Sequence, residues 1–190
     1  RYLSEAREAF APYTQVTLPT HEVIQLTIDK TKMTRHAASI GVPVPKTLYA
    51  SSFEEVEKAT RALERWPLVL KYPVGYGAIG VRFCDSLPEM KRQYDDLMKR
   101  FGPHESPLIV QTFIQGPHYG TYFLCDHGKV LAYSQFKLLK SYPVDRGNTA
   151  KGVSIFEPEM KEIGETLLGS LTWHGVAGFG FSVEVLFCQV

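Results

Sequence analysis

The chain has 190 residues, and its 21 Lys and Arg against 20 Asp and Glu leave a formal charge of +1. That balance gives no general grip on nucleic acid or anionic lipid. No apolar run approaches the roughly 18 residues of a membrane span, and the opening RYLSEAREAF lacks the apolar core of a signal peptide. The length suits one domain or two small lobes sharing a cleft. Cys84, Cys125 and Cys188 have neither metal-ligand spacing nor a disulfide framework, which fits a cytoplasmic protein.

Residues 1–28 read as a lead-in or the remnant of a preceding domain. Asp29 is placed to cap a helix over about 30–40, with Met33, Ala37 and Ile40 on its apolar face and Gly41 as its stop. VPVPKTLYA then takes an extended path. Ser52 with Glu55, and Ser86 with Glu89, predict two capping boxes. The helices they open carry Phe53, Val56, Leu63 and Trp66, then Met90, Tyr94, Leu97 and Phe101, as apolar stripes. Between them LVLKY predicts a buried strand, GYGAIG a turn and VRFC the returning strand. LIVQTFI, residues 108–114, predicts the next strand. TYFLCD and KVLAYSQFKLL flank Asp126, His127 and Gly128 as a hairpin. SYPVDRGNTAKG, 141–152, reads as a polar connection. Pro158 opens a last helix with Met160, Ile163, Leu167 and Leu171 on one side, and VAGFGFSVEV returns as a strand. The expected architecture is α+β, with two lobes meeting near 114–116: an N-terminal lobe over 29–115 and an incomplete C-terminal lobe over 116–190.

Four features could carry chemistry. Lys71 ends an apolar strand, and Gly75, Gly77 and Gly80 follow, so a charged ammonium and close-approaching backbone N–H groups could hold a phosphate. The same letters suit a snorkelling lysine before a hairpin. Gln111, Thr112 and Ile114 could read the edge of a flat heterocycle from an inter-lobe strand, or be ordinary strand residues. Lys137, Lys140, Arg146 and Lys151 flank the polar connection and could face anionic oxygens or water. Glu184 sits in an apolar strand, where burial demands a basic partner or a divalent metal, and an exposed edge removes the demand. His118, beside Gly116, is the histidine best placed for a ligand. His36, His104 and His127 read as helix, loop and turn residues, and His21 and His174 show no partner. The cysteines form no Cys–His nucleophile pattern.

In this order DKTKM, GVPVPKT, PLVLKYPVGYGAIGV, LIVQTFIQG, KLLKSYPVDRGNTAKG and GVAGFGFSVEV resemble the ATP-grasp superfamily of carboxylate ligases, over about 155 residues. The resemblance implies the ATP-grasp fold, with a nucleotide between two α+β lobes. It also implies ATP and Mg²⁺ as cofactors, and activation of a small-molecule carboxylate as an acylphosphate for attack by an amine. It assigns phosphate contact to Lys71 and the 75–80 turn, and the adenine hinge to Gln111, Thr112 and Ile114. Lys137 and Arg146 fall near the transferred phosphate, Glu184 at the metal and His118 where the family often has a ribose-binding Glu. The family's further Glu-x-Asn does not occur before Val190, so the chain reads as a truncated protein that alone lacks full turnover. A bicarbonate-activating carboxylase, a carbamoyl-phosphate synthase or a regulatory ATP-binding module are the alternatives. Nucleic acid and membrane partners are not expected, and a homo-oligomer is left open.

Overall fold

The computed structural model describes residues 2–75, 79–142, 148–183 and 186–189. Gly77, Arg146 and Glu184 therefore lie outside the described residues. Two antiparallel sheets organise the chain. Short helices α1 (Tyr2–Glu5) and α2 (Arg7–Phe10) precede α3 (His21–Ile28) and α4 (Lys30–Ser39). Thr20 caps α3 by accepting from Val23 N, so an amphipathic helix stands where the sequence predicted only a lead-in. Asp29 ends α3 and caps α4, accepting from the N–H groups of Thr31 and Lys32 at 2.9 and 3.1 Å.

The first sheet has the order β1 (Thr47–Ala50), β4 (Leu108–Thr112), β2 (Leu68–Lys71), β3 (Val81–Cys84). Its register puts Ala50, Leu68, Leu70, Cys84, Leu108 and Val110 on one face. Helices α5 (Phe53–Leu63) and α6 (Leu87–Phe101) bury that face with Val56, Leu63, Met90 and Leu97. Both helices open as predicted. Ser52 Oγ and Ser86 Oγ accept from Glu55 N and Glu89 N, and each Glu carboxylate takes the N–H one residue before the cap, at Ser51 and Asp85. Lys71, Ile109 and Gln111 share the opposite face of the sheet.

The second sheet has the order β7 (Asn148–Ser154), β6 (Lys129–Tyr142), β5 (His118–Asp126), β8 (Gly175–Val183), β9 (Leu186–Gln189). The predicted polar connection over 141–152 is thus partly strand: β7 pairs along β6 from Phe136 to Tyr142. As an edge strand it needs no apolar run, so its letters carried no strand signal. Helix α7 (Pro158–Ser170) covers one face of this sheet. Met160, Ile163 and Leu167 join Phe181 with Met33, Ala37 and Val42, so α3 and α4 pack into the core of the second sheet. Phe123, Cys125 and Leu168 fill the rest of that interior. Among the described residues no helix is long and apolar enough to cross a membrane.

Candidate functional site

The hairpin turn between β2 and β3 is drawn tight by Tyr72 N, which donates to Gly80 O at 2.7 Å. A Cβ on Gly80 would stand 3.0 Å from that of Tyr72, so glycine is what lets the two legs approach. Gly75 has φ +153°, in the region L side chains avoid. The start of α4 is stitched to this turn. Lys30 N donates to Pro73 O at 2.8 Å, and Lys30 Nζ donates to Gly75 O at 2.7 Å. Asp29 holds the helix start from the other side, accepting from Ser106 Oγ, while Thr31 Oγ1 donates to Pro107 O at 2.7 Å. Burial pushes the Lys30 ammonium below the ordinary lysine range, and the charge of Asp29 offsets part of that shift.

Lys30 is the site residue that sequence reasoning missed. At the first position of a helix it reads as a solvated charge, and its partner lies 45 residues away. Lys71 closes β2 opposite Val81, at the foot of the same turn. Lys30 thus contacts Gly75, and Lys71 stands at the end of the strand that leads into the same turn. Backbone curvature with two cations is a cradle for oxyanions.

The predicted hinge residues lie at the end of β4 and just beyond it. The Gln111 amide donates to Thr47 Oγ1 at 2.7 Å, so this side chain is committed within the sheet. The N–H groups of Thr112 and Phe113 donate to Lys46 O and Pro67 O. Among the described residues no hydrogen bond engages the backbone of Ile114, which is 5% exposed. Ile114 is therefore the hinge position with backbone groups to offer. His118 follows four residues on, within about 14 Å along the chain. Its Nδ1 lies 2.7 Å from Ser182 Oγ.

From His118 a trough of about 540 Å³ runs over the uncovered face of the second sheet. Its bed is made by glycines under aromatic rings. A Cβ on Gly120 would fall 2.2 Å from Phe136 Cζ, and one on Gly178 would fall 2.9 Å from the Tyr122 ring. Those two rings stack with centroids 5.8 Å apart. Flat apolar walls of this size suit a planar ring system. Lys137 pairs with Tyr119 and alternates along β6 with Phe136 and Leu138, and it is not itself among the residues that line the trough. The geometry thus ties Lys30 to Gly75 in the turn that follows Lys71, and places His118 at the trough.

The sequence matches the family described as ATP-grasp domain over residues 27–182, which includes every site element just described. The chain belongs to the ATP-grasp domain family. The ATP-grasp domain superposes on the biotin carboxylase domain of Hydrogenobacter thermophilus 2-oxoglutarate carboxylase, crystallised with MgADP and bicarbonate. That match has a TM-score of 0.76 at 20% identity, over 98% of this chain and 45% of that one. The carboxyaminoimidazole ribonucleotide synthase of Aspergillus clavatus, crystallised with ATP, matches with a TM-score of 0.72 at 14% identity, over 97% and 49%. The D-alanine–D-alanine ligase of Bacillus anthracis gives 0.68 at 14%, over 98% and 62%. At these identities the likeness is one of fold. The ATP-grasp domain spans about half the length of these structures. No curated protein sequence matches it.

Proposed function

We propose that the chain is the ATP-binding portion of a Mg²⁺-dependent ligase that activates a carboxylate as an acylphosphate for attack by an amine. The observation that carries this reading is the Lys30 hydrogen bond to Gly75 O in the glycine turn that follows the Lys71 strand, in a chain of the ATP-grasp family. The lysine charges beside a glycine turn suit a polyphosphate, and the trough beside His118 suits a purine and ribose in size and flatness.

In this reading Lys30 and Lys71 bind and orient the phosphates, and offset charge as the terminal phosphoryl moves to the carboxylate oxygen. Loss of the Lys30 hydrogen bond to Gly75 O would be repaid by a phosphate oxygen, which better suits a desolvated ammonium. The 75–80 turn covers the phosphates, keeping water from the acylphosphate. Ile114 offers backbone groups to the adenine edge, with Gln111 and Thr112 holding the strand that presents it. Lys137 and Arg146 remain proposed second-lobe cations. Mg²⁺, when bound, would supply positive charge that offsets that of the phosphates. Glu184 is the protein ligand proposed for it. Small-molecule carboxylate and amine partners and a cytoplasmic setting belong to the same proposal.

The test is calorimetric titration of the chain with MgATP, alongside Lys71→Met. A charged hydrogen bond contributes roughly 1.5–3 kcal/mol, so the variant should bind about 10–150-fold more weakly. Equal affinity for the two proteins would reject the assignment.

A further inference from the structure

Cations from different elements hold the two legs of the glycine turn. On the outgoing leg Lys30 Nζ donates to Gly75 O. On the returning leg Arg82 Nη1 donates to Ile79 O at 3.0 Å and to Val81 O at 3.1 Å. The carbonyl between them, Gly80 O, faces β2 and accepts from Tyr72 N. Carbonyls along an extended leg alternate in direction, so Ile79 O and Val81 O turn to the outer side of β3. β3 is an edge of its sheet, and no further strand supplies donors on that side. Arg82 supplies them from within its own strand.

Arg82 is itself anchored. It pairs across the hairpin with Leu70, which lies in the core beneath α5 and α6. Its Nη2 donates to Asp96 Oδ2 of α6 at 2.7 Å. That hydrogen bond holds the Asp96 carboxyl below the ordinary aspartate range. The side chain of Arg82 is 17% exposed and that of Asp96 49%. A guanidinium is a planar fork with donors in fixed directions, so one group can hold backbone carbonyls and a carboxylate together, which a lysine ammonium does less well. Both terminal nitrogens of Arg82 are engaged within the protein, and its effect on a ligand therefore passes through the turn.

We propose that Arg82, anchored by Asp96, is a positioning residue for the phosphate-binding turn, fixing its returning leg in place for a polyphosphate before the ligand arrives. The proposal rests on the nucleotide reading above, and it concerns the phosphates and not the adenine hinge. A backbone already held in its bound geometry loses less freedom on binding, and that raises affinity. The Arg82–Asp96 pair is half exposed on its acidic side, so it contributes little to global stability. Removing the Asp96 charge makes the protein more positive, and long-range attraction alone would then tighten a polyanion. Loss of positioning acts in the opposite direction, so the sign of the change separates the two effects.

The experiment compares the wild type, Asp96→Ala and Asp96→Asn by calorimetry with MgATP and with adenosine. Asp96→Ala should weaken MgATP by about three- to tenfold, the worth of roughly one backbone hydrogen bond, and leave adenosine within about twofold. Asp96→Asn keeps an oxygen for Arg82 Nη2 and should recover most of the loss. In the nucleotide-free chain, amide exchange over residues 79–81 should be faster in Asp96→Ala than in the wild type. MgATP affinity that is unchanged or tighter in Asp96→Ala, or an equal loss for adenosine, would overturn the positioning role. Unchanged exchange over residues 79–81 would overturn it whatever the ligand. A wild type that binds MgATP no better than adenosine would instead reject the phosphate reading, and the positioning role would fall with it.

Discussion

Lys30 holds its ammonium 2.7 Å from a backbone carbonyl while burial works against its charge. A lysine with its folded pKa lowered binds fewer protons than in the unfolded chain between the two values. Its charge therefore weighs against the fold at neutral pH, and that penalty is relieved as pH rises toward the ordinary 10.5. Lys30→Met removes both the penalty and the hydrogen bond. Unfolding in urea should show a stability change under about 1 kcal/mol, while MgATP binding weakens by more than tenfold. A large loss of stability with unchanged binding would make Lys30 a structural strut. Cys84 gives a second test at this scale. Burial, and then the charges of Glu89 and Asp85, push its thiol up to about 12. At pH 8 about one molecule in 10⁴ is thiolate, so alkylation in the native state should run roughly a thousandfold slower than for free cysteine. Fast labelling of Cys84 by iodoacetamide in the folded chain, read by peptide mass, would contradict its environment.

At the scale of elements, local signals were legible and cross-chain ones were not. Ser52–Glu55 and Ser86–Glu89 announced their helices because a capping box closes within four residues. Thr20 offered a similar cap to α3, but the segment is only eight residues long and runs straight into the Asp29 cap of α4. Strand β7 was hidden by its polar letters, and its pairing with β6 is broken by register shifts at Leu138, Lys140 and Ser141. The two α7 glycines separate packing from propensity. A Cβ on Gly164 would stand 2.2 Å from Phe123 Cζ, in a ring that is 1% exposed. Gly164→Val should lower stability by about 1–3 kcal/mol through overpacking. A Cβ on Gly169 meets only Gly128 O, at 3.8 Å, so Gly169→Ala should be neutral or stabilising by up to about 1 kcal/mol. Urea unfolding of both variants reads the contrast, and equal losses would mean that Phe123 does not fill the space above Gly164.

For the whole molecule, the sequence carried the order of the motifs and hence the family, while the site's assembly came from tertiary contacts. Lys71 and the glycine turn lie on one hairpin and could be read together. Lys30 joins them only because α4 docks on residues 73–75 and 106–107. The same docking lets α3 and α4 share a core with α7 and Phe181, so the helix that carries Lys30 is anchored in the core of the second sheet. Nucleotide binding should therefore order both sheets at once. The most direct measurement is amide hydrogen exchange of the chain with and without saturating MgATP. The account predicts slowed exchange at three places: residues 72–81, the backbone around Ile114, and the trough strands at Gly120 and Gly178. Exchange at the β5–β6 hairpin tip should not change. Protection absent from the 72–81 turn and from Ile114, with ATP shown to be bound, would contradict the placement of the nucleotide between the lysine cradle and the hinge.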